Sequence, residues 1–148
     1  MKEYKSFIDK ISLVRESSPI KKVKIRKSED TNEYVRQFYN NDIDIYESVF
    51  ALFLNRQLNT IGWVKISQGS IYGSIIDPIL VAKYAIDVLA QSVVIVHNHP
   101  SGTLTPSIQD INITNKIKDG LKLFDISLLD HLIITKESYY SFADNGKC

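Results

Sequence analysis

The sequence has one cysteine and no long apolar run. Because Cys148 stands alone, an intrachain disulfide and a zinc site built from thiolates are both excluded. No apolar run reaches the ~20 residues that a membrane-spanning helix needs. The first residues, Met1 to Lys5, lack the apolar core of a signal peptide. We therefore expect a cytoplasmic protein without a membrane segment.

A strong excess of charge of either sign is also missing. The 148 residues carry 18 Lys and Arg against 17 Asp and Glu, a formal charge of +1. The hydrophobic content of 44% and charged content of 24% are those of an ordinary globular domain. A chain of ~150 residues forms about one domain and buries about 68–70% of its unfolded surface. This composition excludes a disordered tail, a collagen-like fibre and a multi-domain machine.

The charge is nevertheless unevenly distributed. Residues 1–30 hold nine of the 18 basic residues and five acids, a local charge of +4, which leaves −3 on the remainder. A basic arm can bind the phosphates of a nucleic acid. The five acids weaken its field, however, and no aromatic residue is interleaved with Lys22–Lys27 for stacking on bases. We expect residues 1–27 to be a basic leader, partly ordered or contributing an edge strand near residues 22–26.

Residues 28–148 show alternating helix and strand patterns. Capping residues, hydrophobic periodicity and turn residues divide this region. They predict a helix from Ser28 to about Asn40, a hairpin of strands 49–54 and 61–66, a loop at 68–73, a helix from Asp77 to Ala90, a buried strand at 92–96, a helix from Thr105 to about Leu123, and strands at 130–135 and 139–142. This order predicts an α/β (α+β) domain around one mixed sheet.

Two of the three histidines, His97 and His99, lie at the end of the buried strand. Residues two apart on a strand point to the same side, so both imidazoles can reach one point. Imidazole is a common zinc ligand, and a zinc site that keeps one position open for water needs a third protein ligand. The alternative is a pair of loop histidines bonded to backbone groups.

Asp110 is the candidate for the third ligand. On a helical wheel it lies on the apolar stripe of Ile113, Ile117 and Leu121, so it should point inward. A buried carboxylate needs a cation or strong donors as partners. Ser107 lies on the adjoining face in the first turn. The alternatives are that Asp110 only satisfies helix-terminal amides and that Ser107 only begins the helix.

At this point the sequence resembles a known family. The string His97-x-His99-Pro100-x6-Ser107-x2-Asp110 resembles the JAMM metal motif of JAB/MPN metallopeptidase domains. The longer run HNHPSG…TPS…D, with the segments 129–134 and 139–144, is similar to the RadC family in particular. The resemblance covers roughly residues 46–146. It implies a JAB/MPN fold related to cytidine deaminases, in which helices flank a mixed sheet and zinc is bound at the end of a central strand.

The resemblance also implies roles for individual residues. By position, His97, His99 and Asp110 would bind one Zn2+ per chain, and Ser107 would orient or stabilise the oxyanion. Glu47 directly precedes an apolar strand, the place where the family has the carboxylate that activates water. The implied activity is hydrolysis of peptide or isopeptide bonds in a protein or peptide substrate by a zinc-activated water. Specificity would come from the loops at 68–76 and 103–105, and exposed strand edges leave a homodimer open.

Other interpretations fit less well. The contiguous letters His97-Asn98-His99 match the name of the HNH nucleases only by accident, since those nucleases spread the three residues over a ββα unit. A TIM-barrel amidohydrolase needs more than 148 residues, and His131 is expected to make a structural or indirect contact.

Longer RadC proteins carry a helix-hairpin-helix domain associated with DNA. Here the first glycine is Gly62 and no paired-glycine hairpin precedes Glu47, so the short form without that domain is expected. Two other functions stay open. One is a DNA-associated accessory protein of the RadC DNA-repair type, and the other is a catalytically silent scaffold.

Overall fold

The computed structural model describes residues 7–69 and 75–148. Within these residues, five strands form one mixed sheet in the order β2-β1-β3-β4-β5, accompanied by three α-helices. The elements are α1 (Ser28–Val35), β1 (Ser48–Leu54), β2 (Thr60–Gln68), α2 (Pro78–Asp87), β3 (Ser92–Asn98), α3 (Ile108–Lys122), β4 (Ser127–Ile134) and β5 (Tyr139–Ser141). The expected α+β architecture with one mixed sheet, consistent with a JAB/MPN fold, is confirmed.

The central strands are buried on both faces. β1 pairs antiparallel with β2 and β3, β3 pairs parallel with β4, and β5 pairs antiparallel with β4. Ala51 and Phe53 of β1 pack in the cluster that contains α2 and α3. Phe50 and Leu52, which point the other way, pack with Val35 of α1. The sheet is therefore a middle layer, and the apolar side chains of β3 alternate between the two clusters.

The N-terminal part of the domain is less regular than predicted. The Asp30 carboxylate accepts the backbone N–H groups of Arg26 and Lys27, so α1 begins at Ser28. The strand expected near residues 22–26 is reduced to a single bridge between Lys24 and Asn59, although Ile25 is buried in the core. The loop predicted at 68–73 lies mostly outside the described residues.

The largest boundary difference is at α3. The pattern around Pro106 predicts a helix from Thr105, but α3 begins at Ile108 with Ser107 as its N-cap. Ser107 Oγ accepts the N–H of Asp110 at 3.0 Å, and the Asp110 carboxylate accepts the N–H of Ser107 at 2.9 Å. This reciprocal capping fixes the first turn three residues later than predicted. No helix in the described parts of the chain is long and apolar enough to cross a membrane.

Candidate metal centre

The two histidines of the HxH pair converge where β3 ends. Alternation along β3 places His97 on the same face as Ile95, toward α3, and only 1% of it is exposed. His99 lies just beyond the strand, and its Nδ1 bonds to the carbonyl of Thr103 at 2.7 Å. The Nε2 atoms of His97 and His99 are 2.9 Å apart. Both rings therefore present Nε2 to one point.

Asp110 faces the same point from the first turn of α3. Its Oδ1 lies 3.4 Å from His97 Nε2, and its Oδ2 lies 3.4 Å from His99 Nε2. Burial acts to raise the pKa of the Asp110 carboxyl, but hydrogen bonds to His97 and His99 outweigh it and hold this pKa well below its usual range. Burial acts to lower the pKa of His99, and the Asp110 carboxylate and the Thr103 carbonyl raise it overall. The structure thus brings together a carboxylate that stays ionised and two imidazoles.

Ser107 is exposed and serves as the N-cap of α3. Its hydroxyl oxygen accepts the N–H of Asp110, which fixes the side-chain rotamer of Ser107. The proton of the hydroxyl takes no part in this hydrogen bond. That proton can be donated to a group in the site. The predicted contact of Ser107 with an oxyanion stays a prediction.

Glu47 lies immediately before β1 and also faces this point. Its Oε1 lies 3.8 Å from His97 Nε2, and 17% of its side chain is exposed. Ligand atoms of Glu47, His97 and His99 all lie within 4.8 Å of one another, which is close enough for these three residues to hold a metal ion. The sequence predicts Asp110 as the third ligand and Glu47 as the base, and the structure places both carboxylates beside His97.

Asn98 positions the segment that carries Glu47, a role that the sequence did not reveal. Its side chain is fully buried and points to the opposite face from His97. Oδ1 accepts the N–H of Ser48 at 2.7 Å, and Nδ2 donates to the carbonyls of Ile43 and Tyr46 at 2.6 and 2.7 Å. The middle residue of the HNH string therefore fixes the chain on both sides of Glu47. A polar residue at an otherwise apolar strand position was the available signal.

His131 of β4 supports His97 from beneath. Its Nε2 lies 2.7 Å from His97 Nδ1, and its Nδ1 lies 2.6 Å from the hydroxyl of Thr114 in α3. Phe142 stacks on the His131 ring with centroids 4.7 Å apart and planes at 10°. Burial, followed by the nearby charge of His97, lowers the pKa of His131 well below its usual value. His131 therefore contacts a candidate ligand without facing the site, in line with the indirect contact expected for it.

The spacing of the donor atoms fits a small divalent metal ion. Around a tetrahedral zinc with bonds of ~2.0–2.2 Å, ligand atoms lie about 3.3–3.5 Å apart. The 3.4 Å separations from each histidine to Asp110 lie in this range, whereas the 2.9 Å between the two histidine Nε2 atoms is shorter and would widen on metal binding. Imidazole with carboxylate is a donor set that suits divalent transition metals.

Comparison with known proteins identifies the family of the chain. The sequence profile described as the RadC-like JAB domain matches residues 25–147 of the chain. The chain belongs to the RadC-like JAB domain family. The match includes residues 25–27, directly before α1, and every strand and helix of the domain.

Proteins named only UPF0758 resemble this RadC-like domain. One from Flavobacterium johnsoniae is 45% identical over 101 residues, covering 68% of this chain and 44% of that protein. Others from Fusobacterium nucleatum and Streptococcus suis are 39% and 41% identical over 100 residues, covering 68% of this chain and 43% and 41% of their own lengths. The chain spans less than half the length of these relatives.

Proposed function

We propose that this RadC-like domain is a zinc-dependent hydrolase that cleaves peptide or isopeptide bonds. The observation that supports it is the convergence of two imidazole nitrogens and two carboxylates at the end of β3. Zinc would be held by His97, His99 and Asp110, one ion per chain. When bound there, zinc supplies a Lewis acid that activates water and polarises a carbonyl.

The remaining chemistry belongs to side chains of the domain. Glu47 lies 3.8 Å from His97 Nε2 and is mostly shielded from solvent, so its carboxylate can take the proton of the attacking water and deliver it to the leaving amine. The Asn98 hydrogen bonds on both sides of Glu47 fix its backbone. Ser107 would donate its hydroxyl proton to the oxyanion that develops on the substrate.

The metal is tested by elemental analysis of the purified protein. We expect about one zinc per chain in the wild type and its loss in His99→Ala, because two ligands bind zinc far more weakly than three. Asn115→Ala, an exchange at an exposed helix position, is the control and should retain the ion. Full zinc retention in His99→Ala would overturn the assignment.

Catalysis is tested separately with the Glu47→Gln variant. It should keep the metal and lose roughly 100- to 10,000-fold in turnover, the usual contribution of a general base. Glu137→Gln makes the same exchange at an exposed position and should be unaffected. The substrate is sought by incubating both proteins with a proteome and with isopeptide-linked peptides, then comparing the new termini. A zinc-loaded wild type that never differs from Glu47→Gln would favour a catalytically silent scaffold.

A second candidate function is association with nucleic acid. The five basic side chains between residues 21 and 27 are all exposed. The Glu29 carboxylate pairs with one of them, Lys27, which reduces the positive field. This function predicts DNA binding that weakens as salt rises and weakens further when Lys21, Lys22 and Lys24 are replaced by serine. Binding that is independent of salt would contradict it.

A further inference from the structure

We propose that the outer face of α2 is a homodimer interface, on which α2 of a second copy packs antiparallel about a two-fold axis. The face carries an apolar series that we call the outer stripe: Ile75, Ile79, Ala82, Ile86 and Leu89. Its members follow one another at alternating intervals of four and three residues. This spacing is typical of the seam along which two helices pack. The proposal goes beyond the hydrolase function and does not depend on a metal ion.

The outer stripe is exposed although it is apolar. The exposed fractions are 82% for Ile75, 76% for Ile79, 41% for Ile86 and 78% for Leu89. The core-facing side of α2 is a different one, formed by the fully buried Val81 and Ala85. Within residues 7–69 and 75–148, α1 packs on the other face of the sheet and α3 lies beside α2, so neither helix covers the stripe. An exposed apolar patch of this kind indicates an interaction surface.

Leu89 is held in a strained backbone conformation. Its φ is +55°, in the left-handed region that glycine adopts freely and leucine rarely does. The Leu89 N–H bonds to the Ile86 carbonyl at 3.0 Å, and the next N–H, of Ala90, bonds to the Ala85 carbonyl at 2.9 Å. Helices that end with this pair of bonds usually have glycine at the position of Leu89. Because the leucine side chain is mostly exposed, packing within the chain offsets little of the strain, whereas burial against a partner would.

A second copy fits the outer stripe because the stripe is complementary to itself. When two α2 helices pack antiparallel with Ala82 on the two-fold axis, Ile79 of each copy lies across from Ile86 of the other. Ile75 and Leu89 meet in the same way at both ends. The small side chain of Ala82 lets the two helices approach closely where they cross.

Charge and area are compatible with such a dimer. Lys83 borders the outer stripe, and its ammonium pairs with the Asp87 carboxylate at 2.7 Å, which limits repulsion between two copies. Leu123 and Phe124 follow α3 at the same end of the sheet as Leu89 and are 82% and 57% exposed. At ~30 Å² per apolar carbon, these two residues and the stripe expose about 500–600 Å² per copy. A polar rim would bring this area close to the ~800 Å² per partner of a standard interface.

The experiment measures the mass of the full chain by sedimentation equilibrium. We expect the wild type to approach the mass of two chains at micromolar concentration. Ile79→Glu and Ile86→Lys should each weaken dimerisation roughly 100-fold or more, because each places a charge against an apolar side chain twice in the dimer. Ile108→Glu, at an isoleucine of α3 that is 75% exposed, is the control and should dimerise like the wild type.

The double variant Ile79→Glu/Ile86→Lys tests the arrangement itself. In the antiparallel pairing, the new carboxylate of each copy lies across from the new ammonium of the other, so dimerisation should return. The two positions are seven residues apart on one helix, about 10 Å, so these charges do not pair within a chain.

Leu89→Gly separates dimerisation from the stability of the single chain. It removes an apolar side chain from the outer stripe and also relieves the left-handed backbone. We expect weaker dimerisation together with a higher midpoint of urea denaturation, measured at a concentration where the wild type is monomeric. A lower midpoint would show that Leu89 serves the fold of the single chain and would count against the interface.

A wild type that stays monomeric up to about 100 μM would overturn the proposal. A dimer that neither single variant weakens would do the same, since another surface, such as the edge of β2, would then hold the two copies together. A double variant that is folded by circular dichroism but stays monomeric would show that the antiparallel pairing is wrong.

Discussion

Removing the Asn98 side chain should destabilise the domain even when no metal is present. Asn98 is fully buried and satisfies one N–H group and two carbonyls of the segment that leads into β1. In Asn98→Ala these three backbone groups lose their partner. The segment loses its attachment to β3 as well, so Glu47 loses its fixed position.

The magnitude follows from the exposure of each group. Ser48 is buried, so its orphaned N–H should cost ~1–3 kcal/mol. Ile43 and Tyr46 are partly exposed, and water can replace Asn98 at their carbonyls, which leaves a cost of ~0.5–1.5 kcal/mol each. We therefore expect a loss of about 2–6 kcal/mol, a large share of the ~5–15 kcal/mol that stabilises a typical domain.

The assay is urea denaturation of the metal-free protein followed by circular dichroism. The Asn98→Asp variant makes the test more specific. Aspartate keeps the acceptor for the Ser48 N–H but turns a carboxylate oxygen toward the carbonyls of Ile43 and Tyr46. Despite its similar shape, it should be at least as destabilising as alanine. Asn115→Ala, at an exposed position, is the control and should be neutral or slightly stabilising. A loss below about 1 kcal/mol in Asn98→Ala, or a near-native Asn98→Asp, would refute this reasoning.

Three further predictions concern the C-terminal part of the domain. Phe142→Ala removes a fully buried ring from the face of His131 and should cost about 3–5 kcal/mol in urea denaturation; a cost below ~1 kcal/mol would contradict the packing. Burial raises the pKa of Asp130, so its charged form opposes folding. The free energy of unfolding of the wild type, relative to Asp130→Asn, should therefore fall as pH rises from about 4, and a rise would refute this. Burial raises the pKa of the Cys148 thiol from 9.0 to about 11. At neutral pH, iodoacetamide should therefore react with Cys148 roughly 100-fold more slowly in the folded protein than in the protein unfolded by urea, and equal rates would contradict this.

Much of the candidate site could be predicted because it depends on local periodicity. The spacing of two residues in the HxH pair is a property of one strand. The period of 3.6 residues, which puts Asp110 on the inner face of α3, is likewise a property of one helix. These properties survive into the fold because β3 and α3 form where their patterns indicate. Glu47 is different, since only the family resemblance, and not its own sequence context, distinguished it from an ordinary exposed acid.

The supporting residues could not be predicted because their partners are distant in sequence. Asn98 bonds to carbonyls in a loop without periodicity, more than fifty residues earlier for both Ile43 and Tyr46. His131 meets His97 only because β3 and β4 pair in parallel in this register. The start of α3 was misplaced for another reason, since Pro106 and the Ser107–Asp110 capping pair compete for it and the hydrogen-bonded cap determines the outcome.

The antiparallel pairing of β1 with β3 has a consequence for how the domain reaches its native state. The two strands are separated by the β1–β2 hairpin, the residues after it and α2, and even their nearest partners, Leu54 and Ser92, are far apart in the chain. Closing so long a loop costs entropy before any contact is gained, so this pairing is a slow, non-local step. Glu47 and His97 meet only after it. The proposed ligands His97, His99 and Asp110 are close in sequence and can meet without this pairing, so the arrival of Glu47 beside His97, and not metal binding, becomes the late kinetic marker of completed folding.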